Sequence, residues 1–241
     1  MKLNPVARGD LRVRLAGAKI RTTITLYLAA LALLALLSLP PDLGRLDELR
    51  QEGLLVAFLV VEAVLVVYLV SAAACGELAI EGEKSVVDLA ASSFAPDAIA
   101  VGKLTSAALF AALLVGLGAP MAVLVAGIRG EPLGAVPAAG LIAVAAACAL
   151  GTLAALYGAL FESEFARSFV HWLTLLAVIV GATALPAPWD LVSPVRLIVA
   201  ASRGRAGVAV VAVLVGYLAG AVLAAAGIAR SVRRIRAAPL S

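Results

Sequence analysis

Apolar positions along this chain run in six long blocks, at 22–39, 54–75, 98–125, 137–160, 169–185 and 207–229. Inside a block nearly every position is apolar, so no solvent-facing stripe interrupts the pattern. Blocks of about 20 residues are what a helix needs to cross a hydrocarbon core of about 30 Å. The pattern therefore predicts an all-α membrane protein with six transmembrane helices. Composition agrees. Hydrophobic residues make up 63% of the 241 positions and charged residues only 14%, and the mean hydropathy is +1.10. A soluble domain is nearer half apolar and a quarter charged.

The segments between and before the blocks carry their own patterns. Residues 1–21 predict an amphipathic helix opening at Asn4-Pro5, with Asn as cap and Pro at the first helical position. Arg8, Arg12 and Lys19 fall on one face, beside an apolar stripe of Leu11, Leu15 and Ala18. Such a helix lies along the membrane surface with its cations near lipid phosphates. Between the second and third blocks the chain turns acidic, with Glu77, Glu81, Glu83, Asp88 and Asp97. Ser85 followed by Asp88 reads as a capping-box start, and Val86, Leu89, Ala90 and Ser93 then share a face. The pattern gives a short helix at about 85–94, closed by Phe94-Ala-Pro96. Its apolar face either docks onto a partner or belongs to a solvated loop. The last outer loop, 186–206, mixes prolines and Trp189 with apolar 197–201, which suits short interfacial helices.

Charge placement sets the orientation. Thirteen of the 19 Lys and Arg lie at the N-terminus, in the second and fourth connections and in a basic tail at 230–241. The other side keeps Arg45, Arg50, Arg129, Arg196, Arg203 and Arg205. By the positive-inside rule both termini face the cytoplasm, and the basic balance is a topology signal rather than a nucleic-acid one. The first block has a long polar lead and no evident cleavage site, so it reads as a retained span rather than a signal peptide. Cys75 and Cys148 read as small buried packing residues.

Few polar residues interrupt the blocks. Glu62 sits near the middle of the second, where a carboxylate points either to a transport pathway or to a hydrogen bond across helices. His171 beside Trp172 reads as an interfacial anchor, as does Trp189. With one His in the chain, neither a metal site nor a nucleophile–base pair is indicated. Glu162 and Glu164 read as a solvated turn. Gly216, Gly220 and Ala224, like Ala147, Gly151 and Ala155, recur every four residues and predict ridges of close helix packing within one subunit. Pro120 reads as a kink or a helix end.

The string Glu81-Gly-Glu83-Lys-Ser85-Val-Val-Asp88-Leu89, with Gly102-Lys103 opening the third block, resembles the exporter-type (type-2) ABC transporter permeases. Their pattern there is E-x-E-[RK]-x-T-x-[ED]-L, a short helix, then a G-K pair. Asn4-Pro5-Val6, Leu11-Arg12, Arg21 and Tyr27-Leu28 are also similar to that family's N-terminal pattern. Val86 stands in place of the usual Thr, and Ser93 where Pro is common.

The resemblance implies a type-2 exporter fold and a permease subunit of a transporter, with 85–94 as its coupling helix. Glu81, Glu83, Ser85, Asp88 and Leu89 would contact a cytoplasmic ATPase subunit, present in two copies beside a second permease chain, identical or not. The residues at 186–206 would be an outer re-entrant segment. ATP and Mg would sit on the ATPase, for this sequence has no G-x-x-x-x-G-K-[ST] loop. The setting implied is a prokaryotic plasma membrane, with lipids as the surroundings and no nucleic-acid partner. Two other readings stand beside it: an ion-coupled transporter or channel using Glu62, and an intramembrane hydrolase, for which a nucleophile is wanting.

Overall fold

The computed structural model describes residues 4–37, 54–76, 86–204 and 207–237. They are almost wholly helical, with no strand among them. Six helices are long and apolar enough to cross a membrane: α2 (Ala18–Leu37), α3 (Leu54–Cys75), α5 (Pro96–Arg129), α6 (Ala135–Leu160), α7 (Glu164–Ile179, continued by a 3-10 turn at Gly181–Ala184) and α9 (Val208–Ala237). Three shorter helices complete the described chain: α1 (Pro5–Ala16), α4 (Val86–Ala90) and α8 (Pro194–Ser202).

Helix α6 is the centre of the bundle, with 72% of its apolar window buried, and α3, α5 and α9 pack around it. Its alanines make this possible. Ala143, Ala146, Ala147 and Ala154 carry so little bulk that neighbouring backbones close in, and at Gly151 an added Cβ would meet Val70 Cγ1 at 2.9 Å. Close approach of this kind supplies van der Waals contact where lipid removes the hydrophobic drive for helix pairing. Helices α2 and α7 lie at the periphery, with 22% and 17% of their windows buried. Cys75 and Cys148 are buried free thiols.

Several elements depart from the sequence pattern. Helix α5 runs on through Pro120 and ends at Gly130, whose φ of 62° lets its N–H close the last turn onto Ala126 and Gly127 carbonyls. Pro120 therefore does not end a helix. The basic tail begins as helix: α9 carries Arg230, Arg233, Arg234 and Arg236 in its last two turns. The two small-residue ridges also differ. Gly151 is filled by neighbours, whereas a Cβ added at Gly216 or Gly220 would meet nothing within 4 Å, and both face outward; only Ala224 of that ridge is buried. The close-packing ridge of α9 instead passes through Gly227, against Leu156 Cδ2 at 2.9 Å.

At one end of the bundle the 186–206 connection folds back onto the helices. A 3-10 turn at Trp189–Val192 leads into α8, which buries Pro194, Leu197 and Ile198 against α6 and α3. Ser193 donates to Ile179 O at 2.9 Å, and the Tyr217 hydroxyl donates to Val192 O. These bonds use carbonyls that the ends of helical segments leave without partners. Trp189 stays 63% exposed.

Candidate functional site

The other end gathers α1, α4, the start of α5 and the end of α9, joined by several long-range polar contacts. Helix α1 opens on Asn4. Its side-chain oxygen accepts the Val6 N–H at 2.9 Å, and its amide nitrogen donates to Ala98 O at 3.0 Å. One residue thus starts α1 and fastens it to the first turn of α5. Val6 then lies on Gly102, where a Cβ would stand 2.5 Å from Val6 Cβ. One turn further, Asp10 meets Lys103 Nζ at 2.9 Å with both side chains more than nine-tenths buried. Neutralising each other offsets the cost of holding two such charges away from water.

The buried face of α1 is accordingly Val6, Ala7 and Asp10. Of the apolar stripe read from the sequence, Leu11 is partly buried and Leu15 is 46% exposed. Asp10 joins the buried face through an ion pair contributed by another helix, which hydrophobicity alone does not reveal. Arg8 and Arg12 are exposed, and Ala18 and Lys19 lie within α2.

Helix α4 has five residues, shorter than the 85–94 expected; Ser92 and Ser93 belong to the turn that follows. It buries Val86, Leu89 and Ala90 in a cluster with Ile99 and Ala100 of α5, Ala155 of α6, and Ile228, Ala229 and Val232 of α9. Its apolar face is therefore spent inside this chain. Leu89, which the resemblance assigns to an external contact, is 4% exposed and faces its own bundle. Ser93, expected on the same face, is exposed because the helix has ended before it. Val87, Asp88 and Ala91 form the outward side. Glu81, Glu83 and Ser85 lie outside the described residues.

Arginines that sequence reasoning took as a topology signal hold this end together. Arg233 pairs with Asp97 in the first turn of α5 at 2.7 Å. Arg236 donates to the carbonyls of Ala90, Ser92 and Phe94. The one signal that could have found such a partner is the acidic residue at the start of a span: Asp97 beside Pro96 asks for a cation at the same membrane depth.

Glu62 and His171 are buried within the bundle. Glu62 is 5% exposed and faces Gly118 of α5 and Tyr27 of α2. A Cβ on Gly118 would fall 2.2 Å from Glu62 Oε1 and 2.7 Å from the Tyr27 oxygen, so the glycine makes the space for both. Tyr27 donates to Leu114 O at 3.0 Å, and Glu62 Oε1 has no hydrogen-bond partner among the described residues. His171 is not an interfacial anchor. It is 2% exposed, with Nε2 2.9 Å from the Ser71 hydroxyl, one hundred residues away in sequence. Its neighbour Trp172 is exposed and packs on Tyr68 at 5.2 Å between ring centroids. Among the described residues no group of three His, Cys, Asp or Glu side chains is placed to hold a metal ion.

The architecture defines a multi-pass helical membrane protein. Comparison of the chain with family models, with curated proteins and with solved structures gave no match.

Proposed function

We propose that this chain is the transmembrane permease subunit of an ABC transporter of the exporter type, driven by a separate ATPase. The observation that carries the reading is the meeting of its two motif regions. Val6 of Asn4-Pro5-Val6 packs on Gly102 of Gly102-Lys103, almost a hundred residues away, and the same two segments are fastened by the Asn4 hydrogen bond to Ala98 O and the buried Asp10–Lys103 ion pair. That interlock sits beside α4, whose outward side is Val87, Asp88 and Ala91. The resemblance is thereby supported by a shared physical unit and not only by separate strings.

In this reading α4 is the coupling helix. Its inward face belongs to the permease, and its outward side, with the acidic 81–83 stretch before it, meets the ATPase. Two permease chains and two ATPases form the transporter in the plasma membrane of a prokaryote, both termini inside. Closure of the ATPases on ATP displaces α4 and switches the bundle between inward and outward access. ATP and Mg stay on the ATPase.

The test is reconstitution with an ABC-type ATPase of the same genome. Equal numbers of the two subunits should co-purify from detergent. Charge reversal at Glu81, Glu83 and Asp88 together should abolish the complex while leaving the chain folded. A chain that moves an ion gradient alone, and binds no such ATPase, overturns the assignment.

A further inference from the structure

Arg236 lies in the last turn of α9 and reaches α4 across 146 positions of sequence. Its Nε donates to Ala90 O at 2.8 Å, and one terminal nitrogen donates to Ser92 O and Phe94 O at 2.7 Å each. Ala90 is the last residue of α4, and the other two acceptors lie in the turn beyond it. The final carbonyls of any helix lack intrahelical partners and carry its negative pole, so a cation there satisfies both needs. A helix of five residues does not hold its shape in water unaided. A planar guanidinium presents several donors at once to spread acceptors, which an ammonium on a flexible stem does not match.

The contact is not isolated. One and two turns back on α9, Val232 and Ile228 are fully buried in the cluster that receives Leu89 and Val86. Beside them Arg233 reaches Asp97 at the start of α5. Helix α4 leans on α9 more than on α5, although α5 is its neighbour in the chain.

We infer that Arg236 is a positioning residue that locks α4 to the end of α9, so that a displacement of α4 is carried into the last span as well as along the chain into α5. The lock is a property of this chain alone. What pushes α4 rests on the function proposed above.

Hydrogen exchange on the full chain in nanodiscs tests the lock without an ATPase. Arg236→Ala should raise exchange of the 86–95 segment by about tenfold or more, as expected when local opening loses its tether. Arg236→Lys should recover little of the protection, and Arg233→Ala should change it far less. Unaltered exchange in Arg236→Ala would overturn the inference. With the ATPase assembled and trapped with ATP and vanadate, the wild type should show altered exchange at both the start of α5 and the end of α9. Arg236→Ala should keep the α5 response and lose the α9 response. An α9 response that survives the substitution would also overturn it. Should no ATPase assemble, the first measurement still decides the lock, and only the proposed function falls.

Discussion

Helices α6 and α9 carry small residues at the same four-residue spacing, and the bundle uses them in opposite ways. Gly151 of α6 is closed over by Val70 and Ala107, so the ridge is a seam inside the chain. Gly216 and Gly220 of α9 look outward, a Cβ on either would meet nothing within 4 Å, and Gly216 lines an apolar groove of about 430 Å³ with Trp189, Val192 and Tyr217. The division also runs along α9 itself. Its half nearer Arg236 is packed through Gly227, Ile228 and Val232, and the other half buries Val210, Tyr217 and Ala221 but leaves the face of Gly216 and Gly220 open. A spacing motif thus permits close approach without naming the surface that will approach. The closed part of α9 lies on the side of α4, and its open face lies on the side of the 186–206 connection.

The contrast between closed and open surfaces can be broken at four places, measured as thermal or denaturant unfolding of the purified chain in one detergent. The largest effect belongs to the α1–α5 seam. Asp10→Ala removes the carboxylate from a buried ion pair and should cost about 3–5 kcal/mol. The double change Asp10→Ala with Lys103→Met should restore most of it. Wild-type stability in Asp10→Ala would mean that the pair is open to water.

Next is Gly118→Ala, which drives a methyl into Glu62 Oε1 and the Tyr27 oxygen and should cost about 1–3 kcal/mol. In a Glu62→Ala background the same change should cost distinctly less, because the obstructing oxygen is gone. Additive losses would separate Gly118 from Glu62. Gly151→Ala comes third, at about 1 kcal/mol, since the obstructing atom is the tip of Val70 and can shift; Val70→Ala should absorb it. Smallest are Gly216→Ala and Gly220→Ala. Nothing blocks either methyl, and a helical alanine is favoured over glycine by up to about 1 kcal/mol. Both should be neutral or slightly stabilising. A clear loss at either would show that the open half of α9 is covered in the folded chain.

Much of the bundle is legible in the chain itself. The six spans follow from local hydropathy, and the second block, 54–75, has the bounds of α3. The ends of the others shift by several residues where polar groups find partners: α9 extends through its arginines because Arg233 and Arg236 have acidic and carbonyl acceptors waiting. Helix α4 is visible as an amphipathic pattern but its length is not, since Arg236 and the turn at Ser92 end it early. The direction of its apolar face is not legible either, because a pattern records that a face is apolar and not which surface receives it. His171 misleads for a similar reason. One polar residue near a span end looks interfacial until Ser71 on another helix is seen to accept or donate to it.

By itself the chain determined a lipid-embedded helical protein, the number of its spans and the places where short polar-edged helices interrupt them. These are properties of neighbouring residues, and burial of contiguous apolar side chains with internally bonded backbone decides them segment by segment. Only the tertiary structure decided that Asp10 meets Lys103, that Glu62 fills the space Gly118 leaves, and that Arg236 caps α4. A buried charge or an orphaned carbonyl can be satisfied from any helix at the same depth, so the choice of partner appears only when the helices are packed.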